Sequence, residues 1–573
     1  MVYTEGYLKE KLTKELDAVH VVSTVKFSNA LLPGVFFALL VRWCVASYPY
    51  SGYKKPPMYG DYEAQRHWQE ITVHTPAATW YFNTTQNDLQ YWGLDYPPLT
   101  AYHSLLMGKV ADWIDPESVR LFASRGYENE SHKTFMRWTV FLSDVYFYVS
   151  AVLVVNVFKR TDLSAILFLL YPGLILIDHG HFQYNCVSLG LFLWATFYII
   201  AIENDVLATI FFVLALNYKQ MELYHALPFF FYLLRKIFIL AISVIATFII
   251  IWYPFFGSWE NIFQLFRRLF PLSRGVFEDK VSNVWCVVNV FIKLKSYYSN
   301  EEMAKTCLIT TASAALPSCI DLFFRMNRKK FVLCLINVSL AFFLFSFQVH
   351  EKTILLAAIP VAIHFPEDPF MCFWFLLVST FSMLPLLLKD GLLLPFIATN
   401  IIYVSFYSIT LKLAMPNAGF FTFFNAKKVY KAVQPEKIEN SVLLKLLSVN
   451  FLFSVLGMIV ITAASLYVTP PPQFPDLFPL LISVYSCSHF LLFFFYFYYT
   501  QFHLPTCLPT TVVTDESDGC GAKFSALIVS DKFQGKPLLA RHRLVNSVLQ
   551  EELKEIHAFT QKTLTPDQWN AQQ

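Results

Sequence analysis

Long apolar runs joined by short polar connections dominate the chain. Runs close to the length that crosses the ~30 Å hydrocarbon core of a bilayer lie at 29–48, 138–158, 163–177, 184–202, 205–217, 225–234, 237–256, 303–323, 331–349, 353–365, 370–388, 391–413, 446–468 and 478–500. The pattern predicts an all-α polytopic membrane protein with about 14 transmembrane helices. The pieces at 205–217 and 225–234 are short enough to read as broken or re-entrant helices. A polar N-terminus, 1–28, with Lys9, Lys11, Lys14 and Lys26, precedes the first run. That run lacks a small-residue cleavage site and reads as a signal anchor.

The connections sort by charge. Lys159/Arg160, Arg235/Lys236, the Arg325–Lys330 group and the Lys427–Lys437 group fall on the side of the N-terminus. Basic loops stay cytosolic, so both termini are expected in the cytosol. The opposite, lumenal side then receives a long first loop, 49–137, a second large loop, 257–302, and the short connections 178–183, 218–224, 350–352, 389–390 and 469–477. It also holds two glycosylation sequons, at Asn83 and Asn129. Residues 29–500 form the expected transmembrane domain. Residues 501–573 change character and read as a partly disordered cytosolic tail, with a short helix around Leu544–His557.

Composition agrees. Hydrophobic residues make up 56%, aromatics 18% and charged residues 15%, against roughly 25% charged in soluble domains. With 58 Phe, lipid must solvate much of the surface. The +3 net charge gives no support to nucleic-acid binding. The ten Cys are scattered, with no metal-ligand spacing. A P-loop and a G-x-S-x-G elbow are missing, as is the DxD pattern of soluble nucleotide-sugar transferases.

The unusual polar clusters all fall on the lumenal side: Gly60–Trp68, Trp92–Thr100, Asp178–Asn185, Phe277–Lys280 and His350–Lys352. Ionisable groups at a membrane border point to function by default, and five clusters facing one compartment can converge on one cavity. Asp61, after Gly60 and before a polar helical stretch at 62–74, reads as a helix N-cap or as a carboxylate base. Glu63 and His67 share a helix face, as do Tyr62 and Arg66. Asp95-Tyr96-Pro97-Pro98 reads as a rigid extended turn. His179 and His181, two apart, point to different helix faces, which disfavours zinc. His350-Glu351-Lys352 packs three ionisable groups into a tight reversal, either used in chemistry or a snorkelling interfacial turn.

Six ordered motifs then carry a resemblance: GDYEAQRHW (60–68), QYWGLDYPPLTAYHS (90–104), SRGYE (124–128), DHGHFQYN (178–185), PLSRGVFEDKVSNVWC (271–286) and FSFQVHEKTILL (345–356). Together they resemble the endoplasmic-reticulum α-1,3-glucosyltransferases that use dolichyl-phosphate glucose. The first loop is similar to members that add the first glucose to a nine-mannose dolichol-linked oligosaccharide; a sibling adds the second. The resemblance implies the GT-C glycosyltransferase fold and an inverting transfer, from a β-linked donor to an α-1,3 product, without cofactor or metal. It implies a dolichyl-phosphate glucose donor, a dolichyl-diphosphate oligosaccharide acceptor, and a multi-pass endoplasmic-reticulum protein with a lumenal site. In such enzymes the catalytic carboxylate lies in the first lumenal loop, which here is Asp61. Inversion needs one base at the acceptor hydroxyl and charge stabilisation of the leaving phosphate on the opposite face. Candidate phosphate clamps are Arg66, Lys219, Arg267, Arg268, Arg274, Lys280 and Lys352. Glu63, His67, Asp95, Tyr96, His181, Gln183, Tyr184, His350 and Glu351 complete the expected substrate-binding set. A lipid-linked-sugar flippase is the rival class. It calls for polar residues through the bundle, whereas charges are missing from the middle of most apolar runs.

Overall fold

The computed structural model describes residues 28–159, 162–234, 237–270, 280–415, 419–433, 441–504, 511–516, 523–550, 552–554, 556–565 and 568–569. The chain divides into two compact units, one built on Thr24–Phe324 and Arg328–Phe502, the other on His503–Gln573.

The large unit is helical. Among the described residues, seven helices in it are long and apolar enough to cross a membrane: Glu130–Val155, Ser164–Phe182, Asn185–Ile202, Asn300–Phe324, Leu393–Leu413, Val442–Tyr467 and Leu477–His503. An eighth is counted if the pair Leu240–Phe255 and Trp259–Leu269, bent by 105°, is one span. By length and composition this is fewer than the about 14 runs that hydropathy suggests. Several runs fold as helices too short to span alone. Asp205–Tyr218 has 14 residues, or ~21 Å at 1.5 Å per residue, and Leu355–His364 has ten.

Burial orders these helices. Ser164–Phe182 is wholly enclosed, whereas only 17% of the Val442–Tyr467 window is, so the former is central and the latter peripheral. The central helix ends in a wide π-turn, Leu176–Phe182, a local form that marks functional positions. It stops at Phe182, whose φ of +88° is a costly left-handed conformation for a residue with a side chain. That turn delivers His181 and Gln183 outward. Several charges inside the helices are buried and paired. Arg42 Nε donates to Asp144 at 2.5 Å, and His179 lies 2.9 Å from the same carboxylate. Lys330 pairs with Asp321. Each pair satisfies charge that would be costly alone.

The first loop is a folded layer. Helix Asp61–His74 stops at Thr75 before Pro76, which bars the α region to its predecessor. Helix Pro98–Ile114 opens on proline at its first position, where no amide hydrogen is needed. Trp68, Ile71, Trp80, Tyr81 and Leu94 form one core with Trp252, Phe255, Leu265 and Leu269 of the bent pair. The loop is thereby fixed to the helices by apolar burial.

The second unit adds a β-sheet to the expected all-α fold, within the tail expected to be partly disordered. Strands β1 (Thr511–Asp515), β2 (Lys523–Val529) and β3 (Ala558–Leu564) form a sheet in the order β1-β2-β3. β1 and β2 pair antiparallel, β2 and β3 parallel. The helix lies at Leu538–Val548, ahead of the expected 544–557, and His557 precedes β3. Phe524, Ala526 and Ile528 alternate into a core with Phe533, Val545 and Leu549. This period-2 burial is short and lies in a tail of polar composition, which hid it.

Candidate active site

Asp61 is the first residue of its helix, behind Gly60 in extended backbone, and no side chain caps the helix. The N-cap reading is therefore corrected. A Cβ on Gly60 would lie 2.6 Å from backbone of Ser51, so only glycine permits the close pass that sets Asp61. The Ser51 hydroxyl accepts the Asp61 amide at 3.3 Å, and the Ser51 amide donates to the His181 carbonyl at 2.9 Å. The carboxylate points away from its own helix.

Three donors from two other segments meet on Asp61 Oδ2. His181 Nε2 lies at 2.9 Å and Gln183 Nε2 donates at 2.5 Å. The Lys352 ammonium donates to the same oxygen. Among the described residues, Oδ1 receives no hydrogen bond. The Asp61 side chain remains 22% exposed, so this second oxygen can meet a ligand. Burial raises the Asp61 pKa, but the Lys352 ammonium and the His181 ring outweigh it and hold the carboxyl well below its ordinary range.

Behind His181 stands Asp390, whose Oδ2 lies 2.5 Å from the ring Nδ1. It ends the short helix Leu384–Lys389 and precedes Gly391, whose φ of +74° suits glycine. Sequence reasoning overlooked Asp390. The available signal was its place in the 389–390 connection, on the same side as the five clusters.

The π-turn itself is braced. Asp178 accepts from Asn185 Nδ2 at 2.7 Å and from the Cys186 amide at 2.6 Å. Arg137 donates to the Gly180 carbonyl at 2.9 Å. Lys219 Nζ donates to Asn185 at 2.5 Å and lies 5.2 Å from the Tyr96 ring. Burial, with Lys352 adding repulsion, pushes Lys219 down to about 8. Lys219, Tyr96, Gln183, Tyr184, Gln65 and Thr100 line a small pocket next to the Asp61 cluster through Gln183. The Tyr184 hydroxyl is 2.6 Å from that of Thr139.

Other expected site residues go elsewhere. Arg66 is fully buried. Its Nε and one terminal nitrogen hold Glu63, that nitrogen also holds Glu70, and the other donates to the Ser118 carbonyl and the Ser124 hydroxyl. All five donors of the guanidinium are engaged, which corrects its assignment as a phosphate clamp. Glu63 also accepts from the Tyr91 hydroxyl and the Gly126 amide, and His67 lies 3.2 Å from Glu70. Burial raises the Glu70 pKa, but His67 and Arg66 bring it down to about 2. Glu63, Arg66 and His67 thus tie the SRGYE segment over the helix rather than facing the pocket. The Asp95 carbonyl accepts from Gln220. Lys280 pairs with Asp476 at 3.1 Å on an exposed surface. His350 and Glu351 flank Lys352 in the turn Glu351–Ile354, with the His350 carbonyl accepting from Thr353. Arg274 lies outside the described residues.

The sequence profile of the ALG6, ALG8 glycosyltransferase family matches residues 38–496, and that of BolA-like proteins matches 510–568. The Gallus gallus dolichyl pyrophosphate Man9GlcNAc2 alpha-1,3-glucosyltransferase is 50% identical over 80% of this chain and 94% of its own. Its Mus musculus counterpart is 48% identical over 80% and 94%. The probable Drosophila melanogaster counterpart is 48% identical over 83% and 98%. A crystal structure of a bol-like protein from Babesia bovis is 57% identical over 11% of this chain and 76% of its own, with a TM-score of 0.11. With the matched profile covering every segment that contributes to the Asp61 cluster, this chain belongs to the ALG6, ALG8 glycosyltransferase family.

Proposed function

We propose that the protein transfers the first glucose from dolichyl-phosphate glucose to Man9GlcNAc2 on dolichyl diphosphate, in α-1,3 linkage with inversion, on the lumenal face of the endoplasmic reticulum. Relatives at 47–50% identity carry that acceptor and linkage in their names, which supports the substrate. The bundle is read as a GT-C fold with its short helices completing about 14 membrane passes, and both termini are cytosolic. The observation that carries the mechanism is the asymmetry of Asp61: one oxygen held by three donors, the other open.

The acceptor hydroxyl attacks the anomeric carbon from the face opposite the phosphate. Asp61 Oδ1 takes its proton as the new bond forms. Its depressed pKa keeps Asp61 ionised and ready, and proton transfer comes late, as charge leaves with the phosphate. Once protonated, Asp61 is neutral, and the Lys352 ammonium keeps its charge next to it, which lowers the cost of the negative charge building on the phosphate. Lys219, beside the same pocket, adds a second cation. The charge beside the carboxylate comes from Lys352, so the reaction is read as metal-independent. Gln183, Tyr184 and Tyr96 line the small pocket beside Asp61 and are read as the sugar contacts.

Purified protein should transfer glucose to the unglucosylated nine-mannose acceptor in excess chelator. Transfer only to an acceptor already bearing one glucose would reassign it to the second addition, and strict metal dependence would refute the charge role of Lys352.

A further inference from the structure

We propose that Asp390 is a positioning residue for glucosyl transfer: it holds His181 as an imidazolium against Asp61, and so fixes which oxygen of Asp61 receives the acceptor's proton. The inference rests on the reading of Asp61 as the base.

His181 lies between two carboxylates, with Nδ1 2.5 Å from Asp390 and Nε2 2.9 Å from Asp61. An ionised carboxylate only accepts. Both contacts are hydrogen bonds only if both ring nitrogens carry protons. The groups facing the ring are Asp61 from the first loop, Asp390 from the turn after Leu384–Lys389, and Lys352 from the turn Glu351–Ile354. Arg137 sits on the adjoining Gly180 carbonyl, and the Arg42–Asp144 pair holds the neighbouring His179. Asp61 and Asp390 thus place one carboxylate at each ring nitrogen of His181. When Asp61 Oδ1 takes a proton from the acceptor hydroxyl, Oδ2 keeps its donors as a carbonyl oxygen. The imidazolium, still held by Asp390, then keeps its positive charge, opposite in sign to the leaving phosphate. Without the Asp390 carboxylate, the imidazolium loses one of its two counter-charges. The imidazole then gives up its proton at lower pH and the compensating charge disappears.

Asp390 is anchored for this role. Lys55 of the first loop donates to the Lys389 carbonyl at 2.6 Å, and Leu392 touches the space beside Gly180. Asp390 and His181 are 209 positions apart, yet each is pinned to a segment that also supports Asp61.

The test is the pH–rate profile of the full-length protein in nanodiscs, with dolichyl-phosphate glucose and the nine-mannose acceptor. Asp390→Asn is expected to lower kcat about 10- to 100-fold near neutral pH, with recovery when the pH falls by about one to two units. KM for either substrate should stay within about twofold, and Asp390→Glu should restore the wild-type profile. A loss equal at every pH, or an unchanged profile, overturns the proposal. Because Asp390 acts only through His181, the double variant Asp390→Asn/His181→Asn should be no slower than His181→Asn alone, and additive losses overturn it as well. An inactive wild type contradicts the transferase reading, which is a separate result.

Discussion

Lys352 donates to Asp61 Oδ2 across 291 positions of sequence. It joins a turn between two apolar helices to the first residue of the first-loop helix. Lys352→Met removes the cation that orients Asp61 and holds it ionised. Its kcat is expected to fall about 100- to 1,000-fold, with a melting temperature close to wild type because the side chain is 19% exposed. Steady-state transfer rates and thermal melting in the same nanodiscs check this.

Arg66 should behave in the opposite way. It is enclosed and holds two carboxylates. Arg66→Ala leaves Glu63 and Glu70 buried without their cation, at a cost of about 3–5 kcal/mol. The expected result is poor yield and a large drop in melting temperature, with activity lost in proportion to folded protein. Arg66→Lys should rescue little, since an ammonium cannot reproduce the five-donor fork. A well-folded Arg66→Ala protein with only a raised donor KM would return Arg66 to the phosphate site.

Acid should unfold the first loop through Glu70. Its carboxyl lies near 2 in the folded protein against 4.5 as a free group. A carboxyl depressed in this way stabilises the fold fully above the unfolded value, and the contribution is lost as pH falls through the folded value. The window is therefore roughly pH 4.5 down to 2, and stability should be flat in this respect between pH 5 and 8. Melting temperature against pH, compared with Glu70→Gln, checks it: the substitution should lower stability at neutral pH and flatten the acid slope.

Ending the chain after residue 504 should leave glucosyl transfer within about twofold of the full chain. The family profile stops at 496, and the sheet of 511–564 has its own core. Turnover of the shortened protein, normalised to folded protein, checks this.

The sequence made the membrane class and the Asp61 candidate readable for different reasons. Apolar runs report burial directly, whereas Asp61 read on spacing as either a cap or a base and was singled out only by the family resemblance of GDYEAQRHW. His181, Gln183 and Lys352 were also legible, because polar residues at helix ends on one side are few. Arg66 misled because a charged side chain looks the same in sequence whether it faces substrate or two buried glutamates. Asp390 escaped notice because it sits alone in a two-residue connection, and only folding places it beside His181. The tail's sheet escaped because three short strands, one pairing across a helix, leave no long periodic signal.

The base assignment is tested most directly by single-turnover transfer with Asp61→Asn. The measurement uses folded protein in nanodiscs with saturating donor and acceptor. A fall of at least about 100-fold is expected, up to ~10,000-fold, with melting retained and no recovery at any pH. Transfer within about tenfold of wild type would contradict the account and move the base to another residue.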